Sequence, residues 1–183
     1  MTIRNALCTL FLCIAGATCA RADQSSDVQA MHQAASGFYA VYQQAHASNG
    51  VPGAKVRARL APFVSPALAN LLADADATEQ RYLKTMINME PPTGDLFSAN
   101  FEGATSVRIG ACTLQANGGR CPAEMTYVDG AQTIDWTDTI ELARTGNGWR
   151  VDDIVYSKTV GEFGGDRKAT LSDTLRNMIQ ESQ

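Results

Sequence analysis

The sequence predicts an α+β domain, in which N-terminal helices pack on a curved, four-stranded antiparallel sheet and a further helix follows at the C-terminus. Two observations lead to this fold class. Apolar residues recur at three-and-four spacing in the first half of the chain, and they alternate with polar residues in the second half. Helices followed by a run of strands are typical of domains whose helices cover one face of an antiparallel sheet.

The N-terminal residues 1–22 have the organisation of a secretory signal peptide. Arg4 supplies the positive start, an apolar run follows, and Ala20-Arg21-Ala22 matches an A-x-A cleavage site. We therefore expect cleavage between Ala22 and Asp23, a single mature domain over residues 23–183, and a location in the periplasm or outside the cell. The apolar run is shorter than the roughly 20 residues of a membrane-spanning helix, so we expect no membrane span.

The charge of the mature chain disfavours nucleic acid as a partner. The full chain has 15 basic and 19 acidic residues, and loss of Arg4 and Arg21 with the signal leaves 13 basic residues and a net charge of −6. Nucleic acids are bound chiefly by clustered Lys and Arg. Because the basic residues are scattered here, we expect no nucleic-acid partner.

The first half of the mature chain is predicted to contain three helices. The first begins with Ser26 or Asp27 as N-cap and runs to about His46, and a turn-rich segment at 49–53 ends it. A short helix over 55–63 comes next. A third helix starts at Ser65-Pro66 and ends at Pro91-Pro92. The apolar positions of the first and third helices are Val28, Met31, Ala35, Phe38 and Tyr42, and then Leu68, Leu71, Leu72, Ala75, Tyr82, Leu83 and Met86.

The second half is predicted to form four strands and a last helix. Alternation of apolar and polar residues indicates the strands. Their inward residues are predicted to be Val107, Ile109 and Ala111; Ala123, Met125 and Tyr127; Ile134, Trp136, Ile140 and Leu142; and Trp149, Val151 and Val155. Leu171, Leu175, Met178 and Ile179 give the last helix an apolar face, which docks either on the domain or on a partner.

Cys112 and Cys121 are the two cysteines of the mature chain, and we expect them to form a disulfide in an oxidising compartment. A two-residue Asn117-Gly118 turn would leave them on a diagonal about 7–8 Å apart, too far to bridge. We therefore expect a wider loop over 115–118, or a bulge, that places the cysteines face to face.

Two acids interrupt the inward faces of the last two strands and are the candidate catalytic residues. A four-residue loop over 144–147 would place Asp138 opposite Asp153. Two neighbouring carboxylates in an apolar site would raise one pKa and form an acid/base pair. In the alternative interpretation, each acid caps a helix N-terminus or pairs with an arginine such as Arg108 or Arg150.

Three short segments carry a resemblance to known families: Phe63-Val-Ser-Pro-Ala-Leu68, Gly94-Asp-Leu-Phe-Ser98, and the strand from Trp149 to Tyr156. With the order of elements, they resemble the nuclear transport factor 2-like superfold and, more narrowly, the uncharacterised bacterial family named domain of unknown function 3828. The resemblance implies a cone-shaped domain with a pocket between helices and sheet. We expect Tyr39, Trp136 and Tyr82 to line that pocket, although an aromatic at helical spacing such as Tyr39 is also typical of core or rim.

The predicted function is that of an exported binding or interaction domain with an unknown protein or small-molecule ligand, which includes an immunity or accessory role in the cell envelope. The alternative is a small isomerase- or dehydratase-like enzyme that uses Asp138 and Asp153. We expect no cofactor, because the chain has no glycine-rich phosphate loop, and no metal, since His32 and His46 lie about 21 Å apart on one predicted helix. We expect a monomer or a weak homodimer, because the outward residues of the third strand are polar.

Overall fold

The computed structural model describes residues 16–45, 50–85, 94–158 and 169–181, apart from the side chains of residues 16–23 and of Thr85. Most of the predicted signal peptide lies outside these residues, so cleavage between Ala22 and Asp23 stays a prediction. The His46 end of the first predicted helix, and the Met86 and Pro91-Pro92 end of the third, lie outside them too.

The first helix, α1 (Gly16–Ala45), begins well before the predicted N-cap. Asp27 does not cap this helix, because its carboxylate accepts hydrogen bonds from Trp149 Nε1 at 3.0 Å and Arg144 Nη1 at 2.9 Å. The residues upstream include several alanines, which favour continued helical backbone. The predicted inward face of α1 is confirmed, with Met31, Ala35 and Phe38 fully buried.

The next two helices are α2 (Ala54–Leu60) and α3 (Pro66–Thr85). The first of them is shorter than predicted, since residues 61–63 form turns. The predicted cap of α3 is confirmed, because Ser65 Oγ accepts the N–H of Leu68 at 3.1 Å. Pro66 occupies the first helical position, where an N–H would have no partner within the helix, so its missing N–H costs no hydrogen bond.

The sheet has five strands, and every pair in it is antiparallel. They are β1 (Ser106–Ile109), β2 (Thr113–Gln115), β3 (Gly118–Asp129), β4 (Gln132–Thr145) and β5 (Gly148–Val155). The order β1-β3-β4-β5 is open, and β2 pairs with β3 beyond the end of β1. The predicted first strand is therefore divided in two, and Ala111, predicted to face inward, is exposed in the break.

A β-bulge changes the face of β5 halfway along the strand. Leu142 lies opposite Val151, but the preceding residue Glu141 lies opposite Asp153, so β5 contains one additional residue. Ile154 is consequently the fully buried residue at this end of β5. Val155, which strict alternation places inward, is only half-buried.

The last helix, α4 (Leu171–Glu181), docks on the domain itself. Leu171 and Leu175 are fully buried, and the helix packs against α3 and β5. The apolar face predicted from the sequence is therefore covered by this chain. The core lies between the helices and the inward face of the sheet; its strand residues include Cys121, Ala123, Met125, Trp136, Ile140, Leu142, Trp149 and Val151.

The cysteine pair closes the β2–β3 hairpin at its base. Cys112 and Cys121 form a disulfide, as predicted, with Cα atoms 4.1 Å apart. Gln115 lies opposite Gly118, so the register is the one predicted for cysteines face to face. The loop is tighter than the predicted 115–118, because that last pair leaves only Ala116 and Asn117 in the turn.

Candidate functional site

Residues 94–105, here called the core loop, form an irregular segment that is largely buried. The buried positions are Gly94, Leu96, Phe97, Ser98, Ala99, Asn100, Gly103 and Ala104. Irregular segments usually run over the surface, because a buried one has no ladder to satisfy its backbone N–H and C=O groups. Side chains from α1, β4 and the end of β5 supply the missing hydrogen bonds.

Asp138 is the central acceptor of this arrangement and is 0% exposed. Its Oδ2 atom accepts the backbone N–H of Ala99 at 2.8 Å and the indole N–H of Trp136 at 3.3 Å. Its Oδ1 atom accepts the backbone N–H of Ser157 at 2.8 Å. One carboxylate therefore joins the core loop, β4 and the segment after β5.

Three tyrosine hydroxyls bind the core loop from two sides. Tyr39 donates to the carbonyl oxygen of Phe97 at 2.9 Å, and Tyr156 donates to that of Leu96 at 2.6 Å. The hydroxyl of Tyr42 accepts the N–H of Ala104 at 3.0 Å. These bonds give the polar groups of a buried loop partners that water supplies elsewhere.

Burial also changes the acidity of two of these tyrosines. Desolvation, followed by the nearby Asp138 carboxylate, raises the pKa of Tyr39 well above its usual value. Desolvation and the Asp95 carboxylate likewise raise the pKa of Tyr42. Both phenols therefore stay protonated and keep their O–H groups for hydrogen bonding near neutral pH.

The core loop also has internal hydrogen bonds and aromatic packing. Asp95 Oδ1 accepts the N–H of Phe97 at 2.8 Å, and Asn100 Nδ2 donates to the carbonyl of Gly103 at 2.9 Å. The Phe97 ring packs edge-on against Phe38, with ring centroids 5.1 Å apart. Gly103 has a φ of +83°, which a glycine adopts without strain.

The predicted pairing of the two candidate catalytic acids is wrong. Asp138 lies opposite Ala123 on β3, whereas Asp153 lies opposite Glu141 on β4. There are two physical reasons. The predicted loop over 144–147 is wrong, because Thr145 pairs with Gly148 and only residues 146–147 lie in the turn. The bulge in β5 then reverses the face of the positions after Val151. Asp138 faces inward as predicted, but Asp153 is only half-buried.

Asp153 instead binds the N-terminus of α4. Its Oδ1 atom accepts the backbone N–H of Ser172 at 2.9 Å and that of Ile154 at 2.8 Å. This matches the helix-capping alternative considered for this acid. The two arginines considered as partners are engaged elsewhere, Arg108 with Glu124 in an ion pair and Arg150 with the carbonyl of Trp149.

Two of the other residues singled out from the sequence, Trp136 and Tyr39, lie near Asp138. Trp136 is buried beside Asp138, and Tyr39 is buried under the core loop. Tyr82 is half-buried on α3. Whether these three line a pocket stays a prediction. His32 Nε2 lies 3.3 Å from the carbonyl oxygen of Ile109, and His46 lies outside the described residues.

Sequence reasoning missed the role of the core loop and of the tyrosines that bind it. In the sequence, the signal carried by Gly94-Asp-Leu-Phe-Ser98 and by the strand ending in Tyr156 is a family resemblance. The signal that could have identified the loop is its small, apolar composition, since Leu96, Phe97 and Ala99 favour burial in a stretch that has no strand or helix pattern.

In residues 16–45, 50–85, 94–158 and 169–181, no group of three or more His, Cys, Asp or Glu side chains is arranged to hold a metal ion. Within the same ranges, no helix is both long and apolar enough to cross a bilayer.

Comparisons with known proteins leave the family assignment as a prediction. No family model matches the chain, and no curated protein matches it. A solved structure of a protein of unknown function from Bacteroides thetaiotaomicron VPI-5482 is 11% identical with a TM-score of 0.36; the alignment covers 76% of this chain and 96% of that one. The resemblance to nuclear transport factor 2-like proteins and to the narrower bacterial family therefore stays a prediction.

Proposed function

We propose that this chain is an exported, non-catalytic binding domain that holds a partner on its surface in the cell envelope. The observation that carries the proposal is the use of the inward polar groups. Both carboxylate oxygens of Asp138 accept backbone N–H groups, and Tyr39 and Tyr156 donate to backbone carbonyls. A general acid or base must reach a proton of the substrate, whereas these groups are buried and hold the core loop.

Two further observations support export to an oxidising compartment. Residues 1–22 have the sequence pattern of a signal peptide, and Val28 is the first of the described α1 side chains that packs in the core, downstream of the expected cleavage site. Cys112 and Cys121 form a disulfide, which persists chiefly outside the reducing cytosol. Cleavage after Ala22 would leave the described core contacts of α1 intact.

An immunity or accessory role toward another envelope protein is the more specific form of this proposal. The acidic mature chain suits a partner with basic surface, because complementary charge speeds association and selects partners. A small-molecule ligand is the second form. The first form predicts that another protein co-purifies with the exported chain, and the second predicts that a small molecule does. A direct experiment distinguishes them.

The experiment is capture of the full-length gene product after export by its own cells. A C-terminal affinity tag, chemical cross-linking in the envelope and mass spectrometry would identify both proteins and small molecules. We expect a mature N-terminus at Asp23 and one enriched partner. An uncleaved cytosolic product with a free Cys112 would contradict export.

Matched variants test whether the chain is non-catalytic. Asp138→Asn and Asp153→Asn are each compared with Asp74→Asn, which changes an exposed carboxylate on α3. We expect the loss of partner capture to follow the loss of folded protein in all three. A turnover of any envelope metabolite by the wild type, abolished in a fully folded Asp138→Asn variant, would overturn the proposal in favour of the enzyme alternative.

A further inference from the structure

The strand β4 extends beyond β5 and leaves an open edge in the described part of the chain. The partner residues on β5 cover only Thr139–Thr145 of β4. Residues Gln132–Thr137, here called the β4 edge, pair with β3 on one side. On the other side, no strand among the described residues pairs with them.

The direction of the backbone groups at this edge follows from the register. Pro122 lies opposite Thr139 and has no N–H, and its carbonyl accepts the N–H of Gly110 on the side away from β4. Because hydrogen-bonded and non-hydrogen-bonded pairs alternate in an antiparallel ladder, every second residue of β4 before Thr139 points its N–H and C=O away from β3. These residues are Thr133, Asp135 and Thr137.

The outer edge of β5, in contrast to the β4 edge, is covered by backbone hydrogen bonds from other segments. Val151 exchanges backbone hydrogen bonds with Phe63 and Ser65, each at 2.8 Å. Tyr156 donates its N–H to the carbonyl of Ala169 at 3.0 Å, beside the bridge between Val155 and Thr170. Among the described residues, the backbone of Thr133, Asp135 and Thr137 has no comparable cover, although open edges are usually blunted or covered.

The core loop and most of β3 and β4, which include the β4 edge, are acidic. The segments 94–107 and 121–143 contain seven acidic residues and no Lys or Arg. Glu124 and Glu141 pair with arginines from outside these segments. Of the remaining acids, Glu102, Asp129 and Asp135 have no ion pair within the described part of the chain. Partial desolvation and the nearby carboxylates of Asp129 and Glu102 raise the pKa of Tyr127, the residue that pairs with Ile134 of the β4 edge.

The two faces of the β4 edge favour different side chains on a neighbouring strand. Thr133, Asp135 and Thr137 are exposed on the outer face, whereas Ile134 is half-buried and Trp136 is buried on the inner face. A strand added here would set one row of its side chains beside Asp135 and the other row beside Ile134. Opposite charges stabilise cross-strand neighbours, and apolar pairs do so on a covered face.

We propose that the β4 edge binds an extended peptide segment of another protein by strand addition, and that this segment alternates basic and apolar residues. The inference rests on the proposed binding function and names its surface and partner chemistry. Main-chain hydrogen bonds to Thr133, Asp135 and Thr137 supply the affinity, and the alternate side chains supply the specificity. A second copy of this chain fits the edge less well, because it would add the same acidic strand. In a symmetric pair centred on Asp135, the Asp135 side chains of the two copies would lie opposite each other and repel.

Amide hydrogen exchange of the exported protein tests this directly. The probe is an acetylated nine-residue peptide with Lys at odd and Val at even positions, and the control peptide has Glu in place of Lys. We expect saturating Lys peptide to slow exchange at Thr133, Asp135 and Thr137 by at least about tenfold, as new hydrogen bonds protect these amides. The amides of Ile134 and Trp136, which point toward β3, should stay slow with or without peptide.

Two variants separate backbone pairing from charge. Thr133→Pro removes an N–H that points away from β3, a position where a strand tolerates proline, so the fold should persist while the peptide no longer binds. Asp135→Asn keeps an acceptor for Thr126 Oγ1, which lies 2.6 Å from Asp135 Oδ1. We expect it to weaken binding of the Lys peptide by roughly two- to five-fold at low salt, as for an exposed ion pair.

Several results would overturn the proposal. Slow exchange at Thr133, Asp135 and Thr137 in the free protein at every dilution would mean that a segment of the same chain covers the edge. Protection that grows with protein concentration would mean that a second copy does. Equal binding of both peptides, or binding that leaves these three amides unchanged, would place the peptide elsewhere.

Capture of the envelope partner distinguishes a failure of the strand-addition proposal from a failure of the proposed binding function. If the wild type and Thr133→Pro retain the same envelope partner equally well, the strand-addition proposal fails and the binding function stands. If neither retains a partner, the binding function fails, whatever the peptide does. If only the wild type retains it, both are supported.

Discussion

The backbone N–H of Ala99 donates a 2.8 Å hydrogen bond to Oδ2 of Asp138, which ties the middle of the core loop to the middle of β4. The two residues are 39 positions apart in the sequence. An irregular segment can be buried only if each of its polar backbone groups finds a partner. The inward carboxylate is therefore part of what allows residues 94–105 to lie in the core.

Replacing Asp138 with asparagine should destabilise the domain strongly. One oxygen becomes an NH₂ group, which would face the N–H of Ala99 or of Ser157 as a second donor. We expect the free energy of unfolding to fall by roughly 2–4 kcal/mol, as for a buried group left without its partner. Urea unfolding at neutral pH measures this.

The exposed Asp135 provides the matched control for that measurement. Asp135→Asn should change the free energy of unfolding by less than about 0.5 kcal/mol. If Asp138→Asn is as stable as Asp135→Asn, the carboxylate is not needed to hold the core loop, and its structural role is refuted.

The buried tyrosines should make the domain sensitive to alkaline pH. The pKa of Tyr39 is raised in the folded protein, so above the ordinary value of 10.0 the unfolded chain loses its proton first. The unfolded state then binds fewer protons, and stability falls as pH rises. We expect the contribution of protonated Tyr39 to the free energy of unfolding to be complete below pH 10 and to decrease above it. Urea unfolding between pH 8 and pH 11 measures this decrease.

Tyr39→Phe should reduce this alkaline loss and also lower stability at neutral pH. The neutral-pH cost is expected to be roughly 1–3 kcal/mol, because the carbonyl of Phe97 loses its donor. If the stability of Tyr39→Phe changes with alkaline pH as that of the wild type does, Tyr39 has the same pKa in the folded and unfolded states.

Gly103→Ala should disturb the turn that closes the core loop. The residue has a φ of +83°, and an added Cβ would lie 2.8 Å from Tyr42 Oη and 3.0 Å from Asp95 Oδ2. We expect a loss of roughly 1–3 kcal/mol from backbone strain alone, measured as a lower urea midpoint. Gly146→Ala is the control, since nothing lies within 4 Å of its added Cβ; equal midpoints for the two variants would count against the strained turn.

Opening the Cys112–Cys121 bridge should weaken the β2–β3 hairpin. The cysteines are 9 residues apart, and loop-closure entropy for a loop of this size gives roughly 2–3 kcal/mol. The Cys112→Ala, Cys121→Ala double variant should lose this amount relative to the oxidised wild type. The reduced wild type should match the double variant, and an unchanged midpoint in both would mean that the bridge adds no stability.

Local patterns in the sequence were sufficient for the buried face of α1 and for the cap of α3. The spacing of Met31, Ala35 and Phe38 predicts the buried face of α1, and Ser65-Pro66 predicts the start of α3. The cysteine pair was also predictable, because its register depends on a hairpin of few residues. Each of these features is set by neighbours along the chain.

Only the tertiary structure decided where the acids point and what they bind. Asp27 binds Trp149, 122 residues away, and Asp153 binds Ser172 on α4, 19 residues away. Neither the bulge nor the burial of the core loop leaves a periodic signal in the sequence. The sequence by itself determined the element types, the inward faces of α1, β3 and β4, and the disulfide. The register after the bulge, and the role of Asp138 as an anchor for the core loop, depend on contacts between distant segments, which no local preference encodes.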